Sequence, residues 1–376
     1  MSKKINIQYI TGSRADFGIM SDLIYKLKKN KSINLNITAI GSHSLQEFGN
    51  TINEIKINDL RLNILKIKFK TKNFNDITSY CSKLINKISN NFKKTKPKLL
   101  LILGDRYEIF IASFVATIFK IPIVHFCGGD ITQGSYDDKF RNAITQLSNF
   151  HFTTNKKSKL RVIKLSGVKK NIYNFGHLSL DHLKDKVFLS RAEIEKKFQI
   201  NFSKKNILIT FHPLTNHINK TKKNFGNLIK VLDKNRDINY IFTSPNADQE
   251  SVVIKEMIEE FVKKNKNAFY VKSFGQNYYF SLLKNIDGVM GNSSSGILEV
   301  PSFKKAVINI GDRQNGRIFA KNIIKCNYST KNIQNSINHI FTNQFKRKLK
   351  DTKNYYYKKN ALKNTYKQIL KITDTL

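Results

Sequence analysis

The stretch 99-LLLILGDRYEIFIASFVATIFKIPIVHFCGG-129 decides how this chain folds. Leu99 to Leu103 are five consecutive apolar residues, which read as a strand buried on both faces, as in a parallel sheet. Gly104-Asp105-Arg106 breaks that strand, and residues 109 to 119 read as a buried helix. A second strand, 121 to 126, follows, with Gly128-Gly129 just beyond it. Strand, helix and parallel strand make one βαβ unit, and repeated units predict a doubly wound sheet.

The same pattern extends both ways. INIQYI (5–10) is a compact apolar strand, followed by a Gly-Ser turn and a helix-like run from about Gly18 to Lys29. LNITAIG (35–41) repeats the strand and turn. After about residue 178 the series restarts with NILITFHP (206–213), INYIFTSPN (238–246), NAFYVKSF (267–274), GVMGN (288–292) and AVINIG (306–311). The tail from Tyr355 is amphipathic and reads as a closing helix. A chain of 376 residues exceeds the usual size of one core. The expectation is α/β architecture in two Rossmann-like domains, 1–178 and 179–376, the second carrying the closing helix.

Composition narrows the function. Lys plus Arg is 66 against 27 acids, a net charge of +39. These lysines are scattered in pairs and short runs between apolar helix positions, so they read as solvated surface and predict no nucleic-acid partner. They would still draw an anionic substrate modestly. Cys81, Cys127 and Cys326 lie far apart with no CxxC pairing, which argues against a disulfide framework or zinc ribbon. The N-terminal apolar run is too short for a signal peptide, and no window approaches the roughly 18 apolar residues of a membrane span. A cytoplasmic protein without membrane association is expected. No His or acid spacing matches a metal site.

Ligands of open parallel sheets bind beyond the carboxyl ends of the strands. Arg14 and Asp16 follow the first strand, His43 the second, Asp105 and Arg106 the strand at 99–103, and His125 to Asp130 the strand after it. His212, Asn246, Gly275, the serine cluster and Asp312-Arg313 hold the same places in the second half. Two sheets facing along these edges would enclose a cleft. In GNSSSGILEVPS (291–302), Ser293, Ser294 and Ser295 stand between Gly291 and Gly296 at the mouth of an apolar run. Glycine permits close approach, serine adds donors, and a helix start offers free amides, which together suit phosphate. One serine would be explained as an ordinary N-cap; three between glycines exceed that need. Arg313 and Arg317 could add charge-assisted bonds to the same group. Glu299 suits a ribose diol and suits a helix's first turns equally. His151 and His177 read as structural, and Cys81 and Cys326 as small buried hydrophobes.

TGSRADFG (11–18), LGDRYEIF (103–110), HFCGGDITQGSYDDKFR (125–141), FHPLT (211–215), GNSSSGILEVPS and INIGDRQNGR (308–317) resemble the hydrolysing UDP-N-acetylglucosamine 2-epimerases of bacterial sialic-acid and nonulosonic-acid synthesis. In order from residue 11 to 317, they cover nearly the whole chain. The resemblance implies a GT-B architecture, a homodimer or higher homo-oligomer, a UDP-sugar substrate and no cofactor. It implies conversion of UDP-N-acetylglucosamine and water to N-acetylmannosamine and UDP. UDP leaves by anti elimination, giving 2-acetamidoglucal, and water then adds with the opposite C2 configuration. By resemblance Asp105 and Asp137 are catalytic carboxylates and His212 is the histidine near the leaving diphosphate. Arg14 is a phosphate-side arginine, His43 and Arg106 lie on the substrate side, and the serine loop with Gly296, Glu299 and Arg313 contacts UDP. GSHSLQEFGNT (41–51) carries the His43 match. Many members have glutamate where this chain has Cys127, so Asp130 becomes a further proton-delivering candidate. Asn142 replaces a more usual histidine, and Asp138 reads as a helix-start acid. Rival readings are the same chemistry on a UDP-2,4-diacetamido-trideoxyhexose, a non-hydrolysing epimerase, a glycosyltransferase, a nucleic-acid-binding protein and a non-catalytic UDP-sugar sensor.

Overall fold

A computed structural model describes residues 4–44, 62–67, 74–133, 135–184, 186–213, 220–245 and 250–376. Among them the strands form two wholly parallel sheets. The first holds β1 (Ile5–Thr11), β2 (Ile33–Ala39), β3 (Leu62–Ile64), β4 (Leu99–Leu103), β5 (Ile123–Phe126), β6 (Phe150–Thr153) and β7 (Ile172–Asn174). Their order is β3-β2-β1-β4-β5-β6-β7. The second holds β8 (Lys205–Thr210), β9 (Ile238–Thr243), β10 (Ala268–Val271), β11 (Gly288–Gly291), β12 (Ala306–Ile310) and β13 (Ile323–Cys326), in the order β10-β9-β8-β11-β12-β13. Each order reverses once, between β1 and β4 and between β8 and β11. At such a switch point two neighbouring loops diverge to opposite faces and leave room for a ligand.

Helices follow the strands: α1 (Arg14–Lys28), α2 (Phe74–Thr95), α3 (Tyr107–Ile118), α4 (Asp137–Leu147) and α5 (Lys156–Ser166) accompany the first sheet. The second has α6 (Arg191–Phe198), α7 (Thr221–Leu232), α8 (Ser251–Lys264), α9 (Gly275–Asn285), α10 (Ser295–Leu298), α11 (Thr330–Ile340) and α12 (Asn343–Lys350). Last comes α13 (Ala361–Thr373). Helix α1 begins four residues before Gly18, because the Ser13 side chain accepts the Asp16 amide and caps the first turn. On α2 the buried residues Tyr80, Leu84, Ile88 and Phe92 recur at helical spacing, and Tyr80 and Phe92 meet the rings of Tyr107 and Phe119 at the two ends of α3. The strand at 99–103 is buried throughout, as its composition requires. Short, mixed segments such as IYN in β7 and FHFT in β6 carry too little pattern to be read as strands from sequence.

Contacts divide the chain into two compact units. One comprises Met1–Ile131, Asp137–Leu183 and Tyr356–Leu376, the other Thr132–Tyr136 and Lys184–Tyr355. The restart of the strand pattern put the closing helix in the second half, but its packing puts it in the first unit. Ala361, Ile369 and Ile372 join the core of Met20, Leu23, Ile24 and Leu27 on α1. The Leu362 amide donates to Asp181 Oδ2 at 2.9 Å, and Asn30 Nδ2 donates to the Tyr366 hydroxyl at 2.9 Å. Burial of that apolar face on α1 is what fixes the helix there. The second unit has its own core, built from Ile207, Phe225, Leu228, Phe242, Ile258, Met290 and Ile308 among others.

Candidate active site

In the first unit the site is assembled from loops after β1, β4 and β5 and the start of α4. Gly104, with φ of +95°, turns the chain off β4 so that Asp105 and Arg106 project from the sheet edge. Arg141, one turn into α4 and 3% exposed, is the hub. Its Nη2 donates to Asp105 Oδ2, and its Nη1 donates to Asp138 Oδ1 at 3.1 Å and to the Asp130 carbonyl at 2.7 Å. Arg161 from α5 closes the other side, donating to Asp138 Oδ2 at 2.9 Å. Burial alone would lower the guanidinium pKa. The charges of Asp105, Asp130, Asp138 and Asp137 reverse that, and the net effect holds it above its usual value. Asp105 and Asp130, read as ends of separate strands, thus share one cluster with Asp137 and Asp138, organised by a buried fork whose geometry suits carboxylates.

Within that cluster the roles differ. Asp137 opens α4 and is 8% exposed. Asp138 is the doubly paired helix-start acid that its position suggested. Asp130, 4% exposed, accepts from Thr154 Oγ1 at 2.7 Å and Ser158 Oγ at 2.6 Å, bonds that pin the β5 loop to the start of α5. Gly129 lies under the same contact, since a Cβ there would collide with the Ser158 carbonyl. Cys127 takes a left-handed backbone, φ 64°, while its amide donates to the Phe152 carbonyl at 2.9 Å. His125 is fully buried, with Nε2 2.8 Å from the Gly104 carbonyl, and burial drives its pKa down to about 3. It is a neutral brace for the β4 turn.

Near the end of β1, Asp16 folds back so that Oδ2 accepts the Gly12 amide at 3.2 Å. Some of the residue remains exposed, but its carboxyl is enclosed. That burial raises its pKa to about 7, with Asp105 and Glu108 adding to the rise and Ser13 and Arg106 opposing it. Arg106 Nε donates to the buried Glu108 at 3.2 Å. His43 is buried in the 3₁₀ turn Gly41–Ser44, its Nε2 3.0 Å from Thr11 Oγ1. The Arg14 side chain, residues 45–51 of GSHSLQEFGNT, Gly134, residues 214 and 215 of FHPLT, and Asn246 lie outside the described residues.

In the second unit the switch point between β8 and β11 carries the phosphate-type loop. Gly291 has φ of +132°, and a Cβ there would collide with the Thr210 carbonyl, so the two strand ends meet backbone to backbone. Asn292 locks the pair: its Oδ1 accepts the His212 amide at 2.7 Å and its Nδ2 donates to the His212 carbonyl at 2.8 Å. Arg313 Nη1 at 3.3 Å and Gln314 Nε2 at 2.8 Å both donate to the Asn292 carbonyl. Ser293, Ser294 and Ser295 remain partly open, whereas Gly296 is buried under the first turn of α10. The Ser295 hydroxyl lies 2.5 Å from the Tyr279 hydroxyl. Glu299 stands between the C-terminal end of this one-turn helix and the start of the 3₁₀ turn Val300–Phe303, with no side-chain cap bond to that turn, so its helix-start reading remains beside the ribose one. His212, the serine loop and Arg313 are therefore brought together. Arg141, Arg161, Asn292, Gln314 and Tyr279 were missed as site members; only the arginine ending the 125–141 motif, the asparagine inside GNSSSG and the glutamine inside GDRQ carried a readable signal.

Among the described residues no three His, Cys, Asp or Glu side chains gather as a cation requires, and no helix is long and apolar enough to cross a membrane.

The sequence profile of the family described as UDP-N-acetylglucosamine 2-epimerase matches residues 25–370. The chain is 36% identical over 328 residues to the GDP/UDP-N,N'-diacetylbacillosamine 2-epimerase (hydrolyzing) of Campylobacter jejuni, covering 86% of this chain and 84% of that one. Identity to Polysialic acid biosynthesis protein P7 of Escherichia coli is 31% over 365 residues, 96% of this chain and 93% of that one. UDP-GlcNAc 2-epimerase from Neisseria meningitidis, solved bound to UDP-GlcNAc, matches in fold with a TM-score of 0.82 at 20% identity over 98% of this chain and all of that one (100%). Two Rossmann-like units of the GT-B class, with acids at one switch point and a serine loop at the other, complete the match: the chain belongs to the UDP-N-acetylglucosamine 2-epimerase family.

Proposed function

We propose that the protein is a hydrolysing 2-epimerase that converts UDP-N-acetylglucosamine and water to N-acetylmannosamine and UDP. The observation that carries this reading is the Asp105–Arg141 contact, which gathers Asp105, Asp137 and Asp138 at the carboxyl edge of the first sheet. The proton at C2 of the sugar is weakly acidic, so its removal needs a carboxylate held in place while UDP departs. Asp105 and Asp137 take the base roles in elimination and in activating water. Asp130 holds their loop. His212, Ser293 to Ser295, Gly296 and Arg313 stabilise the charge that develops on the departing diphosphate. Glu299 accepts from the ribose, and Arg14, His43 and Arg106 orient the substrate. The kinship with a relative named as hydrolysing supports release of UDP rather than its return to the sugar.

Proton NMR of the reaction in D2O tests this. Free UDP and N-acetylmannosamine deuterated at C2 are expected. UDP-N-acetylmannosamine with no free UDP would overturn the hydrolytic reading. The UDP-2,4-diacetamido-trideoxyhexose is run in parallel because the Campylobacter jejuni relative bears that substrate's name. Turnover of that sugar alone would overturn the assignment to N-acetylglucosamine.

A further inference from the structure

Inversion at C2 imposes a demand that the paired carboxylates do not meet. The base removes the C2 proton from one face of the ring, and the new proton must arrive on the other. A separate acid is needed, and it must carry its proton at the working pH. Asp105 and Asp138 are ion-paired to Arg141, contacts made by the charged form. Asp130 is committed to Thr154 and Ser158. Cys127, in the same loop, offers no carboxyl.

We propose that Asp16 is the acid that protonates C2 of the 2-acetamidoglucal intermediate, an assignment that rests on the hydrolytic reading above. Asp16 comes from the start of α1, over the end of β1, and β1 pairs directly with β4, whose following turn carries Asp105. It therefore approaches the switch point from a different element than Asp105 and Asp137 do. Its carboxyl accepts from the Gly12 amide and interacts with the Ser13 side chain, and among the described residues it forms no ion pair. Arg106, whose charge opposes the rise, is itself engaged with Glu108. Among the described residues, the charged or titratable groups around it are Asp105, Arg106 and Glu108 from the β4–α3 turn and Tyr9 from β1, whose hydroxyl donates to the Asp16 carbonyl at 3.3 Å. Buried and flanked by two acids, the carboxyl is held up to about 7, so a large share is protonated at neutral pH.

The step balances as follows. The Asp16 O–H bond breaks and its proton forms the new C–H bond at C2. The C1=C2 pair is used in that bond, leaving an oxocarbenium ion at C1. Water adds to C1 and gives one proton to the carboxylate that serves as base. That proton returns through solvent to Asp16, so the sum is glycal plus water giving N-acetylmannosamine.

The test follows UDP, 2-acetamidoglucal and N-acetylmannosamine together in wild type, Asp16→Asn and Asp16→Glu. In Asp16→Asn we expect UDP release to continue while N-acetylmannosamine formation falls ~100-fold and the glycal accumulates. Asp16→Glu should restore part of the product. In wild type the product-to-glycal ratio should fall as pH rises past 7, and in Asp16→Asn that dependence should be absent. Unchanged product in Asp16→Asn, or equal loss of UDP and product with no glycal, would overturn the assignment. Carboxyl carbon NMR gives a check independent of turnover: Asp16 titrating in the ordinary carboxylate range would also overturn it. If wild type itself releases no UDP from either sugar, the hydrolytic reading fails instead, and the acid role fails with it.

Discussion

At the scale of single residues, the structure turns on groups whose partners decide their chemistry. Asp105 was legible as a catalytic candidate; Arg141 closed a quoted motif, but its role as hub was not legible, because an arginine on an amphipathic helix reads as surface until its burial is seen. Arg141→Lys keeps the charge but loses the fork that reaches Asp105, Asp138 and the Asp130 carbonyl at once. UDP release is expected to fall about 100-fold while UDP affinity, measured by calorimetry, stays unchanged. Gly291 is a backbone case. Gly291→Ala adds a Cβ into the Thr210 carbonyl at a φ of +132°, and we expect a loss of about 3 kcal/mol in denaturant unfolding of the second unit. Titration adds a third prediction. Burial holds His125 near 3 and His151 near 4, below the ordinary 6.5 of the unfolded chain. The unfolded state therefore binds more protons on acidification, and this contribution is complete above about pH 6.5 and is lost toward 4 and 3. Asp16 runs the other way: raised from 3.8 to about 7, it favours the fold at low pH and ceases to do so as pH rises through 7. Asp16→Asn should raise the melting temperature at pH 8, leave it nearly unchanged at pH 4, and so steepen the acid loss; scanning calorimetry at the two pH values measures it.

At the scale of elements, the apolar strands and buried helices were legible because their composition repeats what a doubly wound sheet demands. The 99–129 stretch delivers β4, α3 and β5 within two residues of their sequence limits. Helix α13 shows where pattern stops. Its amphipathic face was plain, but a face does not say which core it will cover. The structure spends that face on α1, with Ala361, Thr365, Ile369 and Ile372 buried. Deleting residues 361–376 should therefore unfold or loosen α1 and β1 while leaving the second unit's amide protection intact. Hydrogen exchange read by mass spectrometry distinguishes the two regions; equal loss in both would contradict the packing.

At the scale of the whole molecule, charge is the dominant property and was fully legible from counting. A surplus of 39 positive charges creates a field that draws a nucleotide sugar and is screened by salt. Raising ionic strength from 20 to 300 mM should lower kcat/KM for the UDP-sugar severalfold through KM, with kcat little changed; steady-state kinetics at the two salts checks this. The first unit has a further consequence for how this protein is made. Its last helix comes from residues 361–373, after the whole of the second unit has been synthesised. On the ribosome, residues 184–355 can close their sheet while β1 and α1, which emerge before them, still lack the helix that seals their flank. A part made before the second unit is thus finished only after it, and the apolar flank of α1 is the surface that a chaperone would have to guard meanwhile.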